Sequence, residues 1–195
     1  GIKLELLNHR NKRLKKNPLK FVFFSKIHPS KNLLGLINLW TNKNFLKNLD
    51  LSIYGEITDN RYFEKVSKKI SKLKNIKYHG ALYKNKVKIL SNYDVFIFPS
   101  KSENFGLVVL EALASGLYII IDKKLSWGNL NKLGFASIIT FTGNSLTKEI
   151  KNIDKVKLQI RGKNYLKKTR YFLKKKHNWN IISSNYLNSY KNLTN

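Results

Sequence analysis

The chain has 195 residues, with 38 lysine and arginine residues against 11 aspartate and glutamate residues, and a formal net charge of +27 at pH 7. This length suits one domain with a substantial core better than two small domains. A hydrophobic fraction of 42% fits a globular protein, and no apolar run approaches the length of a bilayer-spanning helix. The absence of cysteine excludes disulfides and thiolate metal sites, and it permits a reducing cytosolic compartment. Because the sequence also lacks methionine, we expect it to be part of a longer polypeptide.

The positive charge has two interpretations, and composition does not decide between them. Lysine, asparagine and isoleucine are abundant along the whole chain, which is typical of a compositional bias. Alternatively, the charge is selected for contact with a polyanion such as nucleic acid, anionic lipid headgroups or a phosphorylated substrate.

Predicted strands and helices alternate along the chain. Their order is a strand at 20–24, a helix at 33–40, a strand at 49–54, a helix at 62–73, a strand at 76–78, a short helix at 87–90, a strand at 94–99, a helix after 106, a strand at 118–121, a loop around 127–128, a strand at 136–141, and helices from 158 to the end. Alternation of this kind implies right-handed crossovers between parallel strands. The sequence therefore predicts one α/β domain over 1–195, a Rossmann-like parallel sheet with helices on both faces.

The most informative segment is 99–116, PSKSENFGLVVLEALASG, which follows one predicted strand and precedes another. Glu103 and Glu111 stand eight residues apart in it, and a strand–loop–helix–strand unit places ligands at the carboxyl end of a parallel sheet. The backbone N–H groups where this helix begins are expected to be unpaired and to favour a diphosphate. These residues are Asn104, Phe105, Gly106 and Leu107. The alternative for each glutamate is an ordinary charge near a helix start, worth under about 1 kcal/mol.

This segment resembles the Glu-x7-Glu motif of the retaining family 4 glycosyltransferases, with the usual Phe-Gly inside it. The resemblance is to the C-terminal, nucleotide-sugar-binding domain of the two-domain GT-B fold, and it covers 21–193. It implies that Glu103 faces the transferred sugar and that Glu111 accepts hydrogen bonds from the ribose hydroxyls. Gly55, which ends the second strand, and Gly80, which follows the third, resemble family glycines near the nucleotide.

A second segment, 25–32 (SKIHPSKN), follows the first strand. The resemblance implies that two cations at this spacing clamp the donor diphosphate and neutralise charge on the leaving group. Lys31 matches the family lysine, whereas Lys26 stands where arginine is usual, and Ser25 and Asn32 replace common glycines. Lysine keeps the charge but loses the bidentate fork of arginine. The alternative for each lysine is a solvated surface charge.

The resemblance implies a hexosyltransferase-like enzyme of cell envelope polysaccharide biosynthesis. It would transfer a sugar, with retention, from a nucleotide-diphosphate donor to a glycan, lipid or lipopolysaccharide acceptor at the cytoplasmic face of the membrane. No metal and no cofactor are expected, since the sequence has no Asp-x-Asp pair and no Cys/His cluster. The N-terminal acceptor-binding half is not in this sequence. The C-terminal helices in 154–195 would cross to that half, and the isolated chain is expected to be inactive.

Two alternatives from other classes stay open. One is a basic nucleic-acid-binding module, which the sequence does not favour because it carries no RNA-recognition, KH or zinc-finger motif. The other is a non-catalytic scaffold of the same fold, indicated by the departures at Ser25, at Lys26 and around Gly128. The lysine run at 167–176 is the best candidate for peripheral contact with an anionic membrane, and a solvated helix face is its ordinary explanation.

Overall fold

The computed structural model describes residues 18–103 and 106–193. Within them, parallel strands form one sheet in the order β3-β2-β1-β4-β5-β6. The strands are β1 Phe21–Phe24, β2 Leu51–Tyr54, β3 Ile76–Tyr78, β4 Val95–Phe98, β5 Tyr118–Asp122 and β6 Ala136–Ile139. The helices are α1 Leu33–Asn42, α2 Asn44–Lys47, α3 Asn60–Ile70, α4 Lys86–Leu90, α5 Leu107–Ala114, α6 Gly128–Lys132, α7 Gly143–Lys155, α8 Lys157–Arg161, α9 Lys163–Lys176 and α10 Trp179–Leu193. This architecture confirms the predicted Rossmann-like α/β fold.

The central strands are buried on both faces, which explains why their sequences are continuous apolar runs. On one face, Phe96 and Phe98 of β4 pack in a cluster with α4, α5, α6 and the buried Leu173 of α9. On the other face, Phe21 and Phe23 of β1 pack in a cluster with α1, α2, α3, α7 and α8. Helices α3 and α9 therefore lie on opposite faces of the sheet.

A buried ion pair joins α8 to the amino end of the sheet. The Nε and Nη2 atoms of Arg161 donate to the two carboxylate oxygens of Asp94 at 3.0 and 2.8 Å. The side chains are 6% and 5% exposed. Arg161 also donates to the carbonyl of Pro18, and Asp94 accepts from the backbone N–H of Lys20. The hydrogen bonds that the guanidinium donates to Asp94 raise the pKa of Arg161, and the pair fixes the chain where β1 and β4 begin.

Several predicted bounds shift for local reasons. Helix α3 begins at Asn60, ahead of the predicted 62, because the Asp59 carboxylate caps it by accepting from the N–H of Tyr62 at 2.8 Å. Helix α6 begins at Gly128, where a loop was expected. Helix α7 was not predicted, since its buried residues Leu146, Ile150 and Ile153 are outnumbered by polar ones. Among the described residues, no helix is both long and apolar enough to cross a membrane.

Candidate functional site

The candidate site lies where the strand order reverses. From β1 the chain moves outward to β2, and from β4 it moves in the opposite direction to β5. The loops that leave the carboxyl ends of β1 and β4 therefore border one crevice, which is where open α/β sheets bind ligands. The segments 25–32 and 99–103, which the sequence singled out, are these two loops.

An ion pair joins the two loops across this crevice. The Lys31 ammonium lies 2.7 Å from a carboxylate oxygen of Glu103, and the two side chains are 15% and 19% exposed. Backbone contacts support the pair, because the N–H of Lys101 donates to the carbonyl of Ser30 at 2.9 Å. The hydroxyl of Ser100 donates to the Ser30 and Ser102 carbonyls. The sequence nominated Lys31 and Glu103 separately, and the structure brings them into contact.

The second glutamate has a different partner. Glu111, on α5, lies 3.1 Å from the Lys86 ammonium at the start of α4. Lys86 also lies over the Phe24 ring at 5.5 Å, which ties the pair to the end of β1. Sequence reasoning missed Lys86, because nothing in its local sequence distinguishes it from the many other lysines of the chain.

The start of α5 presents backbone donors beside Glu103. The first N–H groups of a helix have no partner within the helix. In the part of the chain that the structure describes, no side chain caps α5. Gly106 precedes the helix with φ +61°, a conformation that favours glycine, and Leu107 is 48% exposed. Asn104 and Phe105, which the sequence also nominated, lie outside the described residues.

Trp127 closes one side of this helix start. A Cβ atom built on Gly106 would lie 3.0 Å from Cζ2 and 3.1 Å from Nε1 of the Trp127 indole, and 3.3 Å from Cγ of Glu103. Gly106 therefore gives both side chains room to approach the backbone. Trp127 was noted in the sequence only as part of a loop that departs from the family pattern. No pattern in the sequence predicted that Trp127 would lie close to Gly106.

The ends of β2 and β3 border the same edge of the sheet. Gly55 donates its N–H to the carbonyl of Gly80 at 2.9 Å. A Cβ atom on Gly55 would lie 1.8 Å from the Ser25 carbonyl oxygen, so the backbone itself requires glycine here. Gly80 has φ +84° and open space around it. The structure thus brings Gly55 and Gly80 together.

An aromatic group stands beside these glycines. The Tyr54 ring stacks on His79 at 4.8 Å between centroids, and its hydroxyl lies 3.0 Å from that of Tyr93. Burial raises the pKa of Tyr54, and the hydrogen bond with Tyr93 adds to the effect. Burial and then the nearby Lys77 charge lower the pKa of His79, which favours its neutral form. The group presents stacked and hydrogen-bonded aromatic rings beside the two glycines.

Lys26 is exposed, whereas Lys31 forms an ion pair with Glu103. The backbone on either side of Lys26 pairs with the chain after β2, because the N–H of Ser25 donates to Tyr54 and that of Ile27 to Glu56. Ser25 and Ile27 are buried, so Lys26 is exposed between them. It makes no hydrogen bond or ion pair with another described residue. In the described ranges 18–103 and 106–193, no group of three or more His, Cys, Asp or Glu residues could hold a metal ion.

The family model described as Glycosyl transferases group 1 matches residues 6–161. Because this match covers more than half of the sequence, the chain belongs to the group 1 glycosyl transferase family. A comparison with curated proteins finds no match.

Solved structures of GT-B glycosyltransferases share the fold. Anabaena Alr3699/HepE in complex with UDP has a TM-score of 0.81 and 15% identity, over 98% of this chain and 56% of that chain. The C-terminal domain of the group 1 protein LpcC from Francisella tularensis has a TM-score of 0.68 and 17% identity, over 92% and 100%. Sucrose-phosphate synthase from Thermosynechococcus elongatus has a TM-score of 0.73 and 19% identity, over 100% and 51%. The chain spans about half the length of HepE and the synthase, and it corresponds to the C-terminal half of the GT-B fold, as the sequence predicted.

Proposed function

We propose that this chain is the donor-binding half of a retaining, hexosyltransferase-like enzyme that uses a nucleotide-diphosphate sugar. The observation that carries the proposal is the Lys31–Glu103 pair, which joins the β1 and β4 loops beside the uncapped start of α5. A cation and a row of backbone donors at one place suit a diphosphate. HepE, whose fold is similar, was crystallised with UDP.

In this proposal, different residues bind different parts of the nucleotide-diphosphate sugar. Lys31 and the start of α5 stabilise the negative charge that develops on the leaving diphosphate when the sugar–phosphate bond breaks. Glu103 faces the transferred sugar and Glu111 accepts from the ribose hydroxyls. Asn104 and Phe105 are proposed to contribute backbone donors. Lys26, which is exposed, is proposed to approach the diphosphate from the solvent side of the loop.

The rest of the proposal concerns the whole protein. The acceptor would be a glycan, a lipid or a lipopolysaccharide precursor of the cell envelope, bound by a second half to which the helices in 154–195 cross. No metal or cofactor is proposed, because Lys31 and the helix start supply the positive charge that a divalent ion would otherwise provide. We propose a cytoplasmic location with peripheral contact to an anionic membrane. Alone, this half is expected to bind donor weakly and to transfer no sugar.

Replacing Lys31 or Glu111 by alanine is expected to weaken the binding of a nucleoside diphosphate by about tenfold to a hundredfold. Each change removes a charged hydrogen-bonding group, and such bonds contribute about 1.5–3 kcal/mol. Calorimetric titration of this chain with UDP, and then with GDP and ADP, measures the effect.

Lys43→Ala is the matched control. Lys43 also donates one hydrogen bond, to Asn144 at 2.9 Å. Lys43 follows the end of α1 and Asn144 lies at the start of α7, so this pair lies outside the two loops, 25–32 and 99–103, that border the crevice. The variant should bind as the unaltered chain does. Unchanged affinity in both Lys31→Ala and Glu111→Ala, or the same loss in Lys43→Ala, would contradict the site assignment. An absence of nucleotide binding in the unaltered chain would favour the scaffold alternative.

A further inference from the structure

The acidic residues of this chain are distributed unevenly. All 11 aspartates and glutamates lie at or before Asp154, whereas lysine and arginine continue to Lys191. Helices α9 and α10 therefore contain no carboxylate side chain. A basic segment without internal acidic partners has its charge available for an external anion.

The charge of α9 is concentrated on one side of the helix. Each residue of an α-helix turns by about 100°. Most of the exposed lysines consequently fall within an arc of roughly 140°, with Tyr171 in the middle. We call this arc the lysine face; it consists of Lys163, Lys167, Lys168, Tyr171, Lys174 and Lys175. The opposite side of α9 packs on the sheet cluster through Leu173, so the lysine face points away from the domain.

Aromatic side chains accompany these lysines at the surface. Tyr171 is 65% exposed, and the Lys175 ammonium lies 5.7 Å from the centre of its ring. Trp179, the first residue of α10, is 51% exposed. Tyrosine and tryptophan among lysines are typical of protein surfaces that lie at a membrane interface, where the ring enters the headgroup layer and the ammonium groups remain at the phosphates.

A cavity of about 470 Å³ adjoins the end of this face. Its wall is apolar at Trp127, Leu130 and Phe172, and Lys175 and Lys176 lie at its border. His177 also lines it, and burial lowers the pKa of this imidazole, with a further lowering from the charge of Lys176. An apolar wall with two ammonium groups beside it matches an amphiphilic anion better than a nucleotide or a sugar, which have no apolar tail to bury.

We propose that the lysine face and this cavity form a docking surface for an anionic lipid bilayer. The lysines contact headgroup phosphates, Tyr171 and Trp179 enter the headgroup layer, and the cavity accepts part of one lipid. Lysines outnumber arginines here, which suits diffuse attraction to a charged surface more than the bidentate recognition that arginine provides. This inference gives a location to the membrane contact suggested in the proposed function, and it does not depend on the donor site.

The test is sedimentation of this chain with vesicles made of equal parts phosphatidylcholine and phosphatidylglycerol, and with vesicles of phosphatidylcholine alone. Binding is expected only with the anionic vesicles, and added salt should weaken it. A variant with Lys174, Lys175 and Lys176 changed to glutamine should partition about a hundredfold less strongly, because each lysine near the surface contributes about a fivefold factor. Tyr171→Ala should lower partitioning severalfold at unchanged net charge.

The matched control changes Lys65, Lys68 and Lys69 on α3 to glutamine. These exposed residues carry the same charge on the opposite face of the sheet, and the variant should bind the vesicles nearly as well as the unaltered chain. Equal losses in the two triple variants, absence of vesicle binding, or α9-dependent binding of a DNA duplex in place of vesicles would overturn the proposal. Titration with UDP separates it from the donor site, since the α9 variant should retain nucleotide affinity.

Discussion

Asp94→Asn is expected to reduce the free energy of unfolding by about 3–5 kcal/mol. The substitution removes the carboxylate charge that the buried Arg161 guanidinium contacts at two atoms, and removing one partner of a buried ion pair costs this much. The contacts support the upper part of the range, because the pair is bidentate and both side chains are nearly inaccessible to solvent. Asp94 also accepts a hydrogen bond from the backbone N–H of Lys20. Replacing the carboxylate by an amide weakens this bond, which holds the chain just before β1. Urea unfolding followed by circular dichroism measures the change.

Two further variants make this result specific. Asp154→Asn is the same chemical change in the Asp154–Lys157 pair, where the aspartate is 50% exposed. It should alter stability by less than about 1 kcal/mol. A double variant, Asp94→Leu with Arg161→Met, removes both charges and should recover much of the lost stability. A loss of less than about 1 kcal/mol in Asp94→Asn would show that this pair does not anchor α8 to the sheet.

Gly55→Ala is expected to destabilise the chain by about 3 kcal/mol and to weaken UDP binding at the same time. The new methyl group would lie 1.8 Å from the Ser25 carbonyl oxygen, which is backbone and has no rotamer to change. Overpacking of this kind costs about 1–3 kcal/mol or more. Relief requires the loop after β1 to move, and that loop carries Lys31. Unfolding in urea and calorimetric titration with UDP measure the two effects.

Gly128→Ala is the control for this substitution. Gly128 begins α6, and a Cβ atom built on it meets nothing within 4 Å. Because alanine also reduces the freedom of the unfolded chain, its stability should be unchanged or slightly higher. If Gly55→Ala proved as stable as Gly128→Ala, the close approach of the two loops would not constrain the site.

The sheet could be predicted because the strands are buried on both faces. Continuous apolar runs such as Phe21–Phe24 and Val95–Phe98 stand out in a lysine-rich sequence, and crossover rules then fix the parallel arrangement. Glu103 and Glu111 could also be identified from the sequence, because both lie within a few residues of Gly106 in one continuous segment. Helix α7 escaped prediction although Leu146, Ile150 and Ile153 mark its buried side.

Contacts between distant segments could not be predicted. Lys86 contacts Glu111 from another helix, and Trp127, which follows β5 in the sequence, approaches Gly106, which precedes α5. Arg161 meets Asp94 across 67 positions of sequence. In each case the local sequence does not distinguish the residue from others of the same type, and only the folded structure shows that it is part of the contact. The distinction between the exposed Lys26 and the paired Lys31 also follows from pairing between loops, which the sequence pattern does not encode.

The buried Asp94–Arg161 pair and the Lys31–Glu103 pair lie at opposite ends of the same strand. Asp94 immediately precedes β4, and Ser100 and Glu103 follow it. Substitutions in the loops after β4 can therefore adapt the crevice to a different ligand without disturbing the anchor before it. Four residues of strand separate the ion pair that anchors α8 to the sheet from the loop that borders the crevice, and this separation makes the domain a good starting point for the evolution of new specificities.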